Sequence, residues 1–296
     1  MSLSTLREYT ADTSQETPRD GTALLSGYSI EAVPRSVASI ESFKTYLPAG
    51  TRVYIPHIPG TSFDDMLATA RRIAKDGYPV MPHFCARLIK DKAMLANWIN
   101  RYQGEAGVRQ ALLLAGDINK PCGEFHASIQ LLETGLFEKA GFERLHIAGH
   151  PEGSRDIDDH KLMEALHWKA AFAQRTNAKV AITTQFCFDA KRIISWAETL
   201  QAEGINLPIH VGLVGPATLQ SAIQFALTCG IGPSLKILQK RVRDMTHLLR
   251  PYAPDDMITA LAAYKAENPH TNIEKVHFFP CGDLQATAIW AGKQRR

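Results

Sequence analysis

Eight short apolar runs recur along the chain, most with a polar residue at or near the end and most followed by a stretch with helical periodicity. They are YSIEAVP from Tyr28, TRVYIP from Thr51, YPVMPHF from Tyr78, QALLLAGD from Gln110, RLHIAGHPE from Arg144, KVAITTQF from Lys179, PIHVGLV from Pro208 and KVHFFP from Lys275. Their near-continuous apolar character suits parallel strands covered on both faces. Between them, helices are predicted over 62–75, 91–102, 125–140, 160–175, 190–202 and 217–228. In 62–75, Ser62 is an N-cap candidate and Met66, Leu67, Ala70 and Ile73 share one face. Gly77, Gly107, Gly141, Gly204 and Gly230 stand where a left-handed residue would close a helix.

Eight strand–helix repeats predict an α/β protein, a (β/α)8 TIM barrel, whose active site gathers at the C-terminal ends of the strands. The interval between the seventh and eighth runs is too long for one crossover. LKILQKRVRDMTHLL and DDMITALAAYKA predict extra helices before the last strand. The expected organisation is a polar N-terminal arm over 1–26 and a single barrel over 27–296. A doubly wound sheet is the alternative, but it calls for a glycine-rich turn after an early strand. AVPRS stands there instead.

Composition narrows the functional classes without choosing among them. A chain of 296 residues, 45% hydrophobic, can bury a large core, and a net charge of +3 without a basic stripe argues against nucleic acid. No apolar run reaches membrane-spanning length, and the N-terminus lacks the apolar centre of a signal peptide. Five scattered cysteines without a CxxC pair read as free thiols in a reducing compartment. A cytoplasmic protein is expected, with a homo-oligomer left open.

The strand ends give the candidate chemistry. Glu31, set among Ile30, Ala32, Val33 and Pro34, should have a raised pKa and suit a general acid, although an ion pair with Arg35 or Arg52 would also explain it. Asp117 follows Gly116, which permits a tight turn and a close ligand; capping of the following turn is the alternative for the aspartate. Gln185 offers an amide donor and acceptor for a heterocycle. His57, His83 and His150 could ligate a metal, but neither an HxH pair on the first strand nor HExxH is present. Glu152 lies in the HPEGS loop, where it could bind a ligand or face water.

These residues, in this order, resemble the methylenetetrahydrofolate reductase family over most of the barrel. The anchors are YSIEAVP, the PHF containing His83, the GD of LLLAGD, HPEG, ITTQFCFD and LPIHVGL. The resemblance implies reduction of 5,10-methylenetetrahydrofolate to 5-methyltetrahydrofolate, with hydride from NADH or NADPH by way of FAD. It implies Glu31 as the acid that opens the folate ring, with Asp117 and Gln185 on the substrate. His57, His83, Gly116, Asp117, His150 and Glu152 would fall around the flavin. The chain departs from the flavin-using pattern at Ala115, where an arginine is common, at Pro56-His57, and at His150 and Ser154. A flavin-free reductase, another folate one-carbon enzyme and a non-catalytic folate- or flavin-binding barrel are therefore the alternatives.

Overall fold

A computed structural model describes residues 21–232, 234–243, 251–281 and 283–294; side chains at 21, 22 and 240–243 are outside the description. The strands are β1 (Ser29–Glu31), β2 (Arg52–Ile55), β3 (Val80–Cys85), β4 (Gln110–Leu114), β5 (Arg144–Gly149), β6 (Lys179–Phe186), β7 (Ile209–Val214) and β8 (Ile273–Phe279). They are parallel neighbours in chain order, and β8 closes on β1 through Ser29↔His277 and Ile30↔Phe278. The fold is a (β/α)8 TIM barrel. Among the described residues, no helix is long and apolar enough to cross a membrane.

The helices are α1 (Gly21–Leu25), α2 (Pro34–Val37), α3 (Phe63–Lys75), α4 (Lys92–Ala106), α5 (Ser128–Glu133), α6 (Leu136–Lys139), α7 (Asp159–Arg175), α8 (Ala190–Ala202), α9 (Leu219–Thr228), α10 (Leu235–Arg243), α11 (Asp255–Glu267) and α12 (Leu284–Gln294). Ser62 caps α3 by accepting from the Asp65 amide, as its position predicts. The predicted helix over 125–140 is two helices, because Gly135 takes φ 65° between them. Helices α9, α10 and α11 occupy the long β7–β8 connection, as expected, while the end of LKILQKRVRDMTHLL lies outside the described residues. Residues 1–20 of the expected arm also lie outside them. Its last part differs from the expectation: Leu24 and Leu25 are buried on α1, which packs against β8, α11 and α12. Apolar side chains there can be covered only by docking, so the barrel's ordered structure begins before residue 27.

The strands are less uniform than their sequences suggest. Ile30, Val53, Ile55, Phe84, Leu113, Ile147, Ile182, Val211 and Phe278 join the helices in one continuous core outside the barrel wall. Alternate residues point to the axis, where Tyr54, Met81 and Leu112 form a separate small cluster. The remaining axial space is polar: Ser29, His83, His146, Thr183, His210 and His277 are all buried.

Candidate active site

A cavity of about 1000 Å³ opens at the C-terminal end of the barrel. That volume is at the upper end of small-molecule sites, at roughly 300–1,000 Å³. Its floor carries Glu31, His83 and Cys85, one wall carries Pro56 to Pro59, and Gly116 and Asp117 form the rim after β4. The opposite wall is α9 with the loop after β8, including Phe225, Cys229, Phe279 and Cys281.

Glu31 is held at the end of β1, with its side chain 12% exposed. Burial lifts its pKa to about 7, a shift that His83 opposes without cancelling. The His83 Nε2 lies 3.4 Å and the His277 Nε2 3.7 Å from the Glu31 Oε1. Burial pushes His83 down to about 4 and His277 well below the usual histidine range. Near pH 7 the two imidazoles are therefore uncharged, and between them the carboxyl exchanges between acid and anion. A carboxyl that titrates near neutrality at the bottom of an open cavity is equipped to donate a proton.

His57, just past β2, packs its ring 5.3 Å from Trp98 and is lowered to about 4 by burial. Gly116 takes φ 96°, and a Cβ there would stand 3.1 Å from the Cys85 Cβ, so both conformation and space call for glycine. Asp117 is exposed at the rim, with Arg155 Nη2 3.7 Å from its Oδ1. Burial pushes the Cys85 and Cys229 thiols up to about 12, which leaves no thiolate nucleophile at neutral pH. Among the described residues, no group of three or more His, Cys, Asp or Glu side chains is arranged to hold a metal ion.

Three candidates from the sequence do not line this cavity. Gln185 lies one residue before the end of β6, half-buried, where the β6–β7 register shifts between Thr183 and Phe186. His150 follows β5 and is lowered to about 4, first by burial and then by Lys169. Glu152 serves as an anchor: one carboxylate oxygen accepts from the Cys187 Sγ at 2.9 Å and the other from the Ser234 amide at 3.1 Å. The HPEG loop thereby ties the segment before α10 to the end of β6.

The structure also adds residues. His277 is in the middle of β8, and the signal for it was available: RLHIAGH, PIHVGLV and KVHFFP each carry a histidine at the third position. The α9 wall had a signal too, since Gln220, Gln224 and Thr228 recur every four residues beside Ser221 and Phe225.

No protein-family model matches the chain. Solved structures similar to it include a Yersinia pestis DHPS with a pterine-sulfa conjugate, at 14% identity and a TM-score of 0.45, covering 92% of this chain and 94% of that one. A Thermomonospora fusca beta-mannanase complexed with mannohexaose is similar at 13% identity and a TM-score of 0.43, covering 86% and 77%. Likenesses at that level carry no argument about activity, and the barrel is established by its own closed strand order.

Proposed function

We propose that the protein is a methylenetetrahydrofolate reductase in which Glu31 is the proton donor and a nicotinamide dinucleotide bound in the mouth is the hydride source. The observation that carries this reading is a buried carboxyl, its pKa raised to about 7, on the floor of a large cavity. Glu31 gives its proton to the departing amine nitrogen of the five-membered folate ring, and the carbon–nitrogen bond breaks. The one-carbon unit left as an iminium accepts hydride to become a methyl group. NADH or NADPH leaves as the oxidised nicotinamide. One proton is consumed in each turnover, and Glu31 must regain it.

Asp117, exposed at the rim, is suited to accept hydrogen bonds from a pterin ring. His57 and His83, uncharged, can each offer one donor and one acceptor to a ligand. The role of Gln185 on folate or nicotinamide requires an approach from the β6 side of the mouth, since it does not line the cavity.

The described residues suit a resident FAD poorly. None of the side chains lining the cavity is Lys or Arg, the partners that bind phosphate strongly, so a dinucleotide is held there as a weakly bound, exchanging co-substrate rather than as a tightly held resident group. Arg87 is engaged by the carbonyls of Gly116, Ile118 and His126 and by Asp156. Arg155 is paired at the rim, and Glu152 is occupied by Cys187 and Ser234. We therefore derive no step through flavin and take hydride transfer as direct.

The test is anaerobic incubation of purified protein with 5,10-methylenetetrahydrofolate and NADH or NADPH, following nicotinamide absorbance and 5-methyltetrahydrofolate. Turnover should occur without visible flavin bands, and Glu31→Gln should lower kcat by about a hundredfold or more. Folate binding without nicotinamide oxidation would instead support a non-catalytic barrel. Stoichiometric flavin bands would defeat the direct route.

A further inference from the structure

Two arginines stand beside the Asp117 rim, and they differ. Arg87 spends its donors on the carbonyls of Gly116, Ile118 and His126 and on Asp156. Arg155 makes no hydrogen bond among the described residues. Its Nη2 is 3.7 Å from the Asp117 Oδ1, beyond hydrogen-bond reach, and its side chain is 59% exposed. A guanidinium carries five N–H donors in a planar fork, so nearly all the binding capacity of this one remains open to a ligand.

Three features place that fork at the cavity. The loop carrying Arg155 is tied down on both sides, by Glu152 on the Cys187 thiol and the Ser234 amide and by Asp156 on Arg87 and the Ser154 hydroxyl. Gly230, which closes α9 at φ 71°, also leaves the space that the guanidinium fills: a Cβ there would collide with the Nε and Cζ of Arg155. The thiol of the neighbouring Cys229, on the cavity wall, is subject to Glu31 on the floor and to Asp117 and Arg155 at the rim, so these charges surround one space.

We propose that Arg155, seated on Gly230, binds the diphosphate of the nicotinamide dinucleotide and gives the protein its preference for a phosphorylated hydride donor. The inference rests on the reading that the mouth takes such a donor. A diphosphate offers paired oxygens to a planar fork, and these charge-assisted bonds are stronger than neutral ones. The carboxylates of folate are the rival anion. Folate carries its pterin and its glutamate at opposite ends, so with the pterin against Asp117 the glutamate is directed away from the neighbouring Arg155. A nicotinamide dinucleotide carries its diphosphate one ribose from the ring that gives hydride. With one guanidinium, shared with Asp117, the hold is that of a co-substrate that leaves after each turnover and not of a resident flavin.

Arg155→Gln removes the charge and leaves the loop its anchors. With 5,10-methylenetetrahydrofolate, this variant should raise the KM for the dinucleotide that the wild type uses, NADH or NADPH, by about tenfold, with kcat and the KM for folate unchanged. Dihydronicotinamide riboside gives the same hydride but carries no phosphate, and its kcat/KM should be the same in both proteins. A structural disturbance of the rim would instead impair both donors. Arg155→Lys, which keeps the charge without the fork, should fall between wild type and Arg155→Gln. An unchanged KM for the dinucleotide, equal losses with the two donors, or a rise confined to folate overturns the assignment. If the wild type reduces no folate with either donor, the proposed reaction fails separately, and calorimetric titration with ADP-ribose decides the diphosphate seat. ADP-ribose should bind the wild type about tenfold more tightly than Arg155→Gln. Equal affinities, or no binding to the wild type, refute the seat.

Discussion

Replacing Glu31 with Gln should make the protein more stable at alkaline pH while removing its proposed proton donor. In the folded chain the carboxyl titrates at about 7, against an ordinary value of 4.5, because burial disfavours the anion. Below the ordinary value both states are protonated and the shift has no effect. Between the two values the unfolded chain has released its proton and the folded chain has kept it, so stability falls as pH rises. Above about 7 the loss is complete. At roughly 1.4 kcal/mol per pKa unit it amounts to about 3 kcal/mol. The neutral amide of Gln has nearly the same shape and carries no such penalty. Urea unfolding of both proteins from pH 4 to 8.5 should give a difference that grows in favour of Glu31→Gln through the window between the two titrations and then levels off. A stability difference independent of pH would refute the buried, protonated carboxyl, and with it the mechanism. The same titration predicts that wild-type turnover is retained below about 7 and lost as pH rises through that value.

Two further predictions concern the loops that shape the mouth. Glu152→Ala should cost about 1–3 kcal/mol in urea unfolding, because it leaves the Cys187 thiol and the Ser234 amide without their acceptor. Gly116→Ala should cost about 1–3 kcal/mol, since it forces a side chain into a positive-φ conformation and against Cys85; a change below a few tenths, measured the same way, would show that the rim can rearrange freely.

The chain's own periodicity was enough to determine the barrel. Strand and helix lengths are local properties, and eight alternations of apolar runs with amphipathic stretches have few closed arrangements that bury both faces of every strand. Glu31 was legible for the same reason, as a carboxylate inside an apolar run. Gly116 was legible as the glycine of a strand-end turn. What local pattern could not decide was which side of the wall each residue occupies. Alternation sends His146, His210 and His277 to the axis, but runs such as RLHIAG and KVHFF read as apolar overall, so the polar interior emerged only once the strands had closed on one another.

Tertiary structure also decided the fates of residues equivalent by position in sequence. His83 and His150 both stand near strand ends, yet one faces Glu31 across the cavity floor and the other is subject to the field of Lys169. Glu152 resembles a ligand-binding acid until the fold brings the Ser234 amide, 82 residues away, onto its carboxylate. The wall formed by α9 depends on the long β7–β8 connection folding back over the mouth. Sequence determines which groups a chain can offer. Closure of the barrel determines which of them are desolvated and aimed at the same space, and burial, opposed only in part by His83, moves the Glu31 titration from 4.5 to about 7.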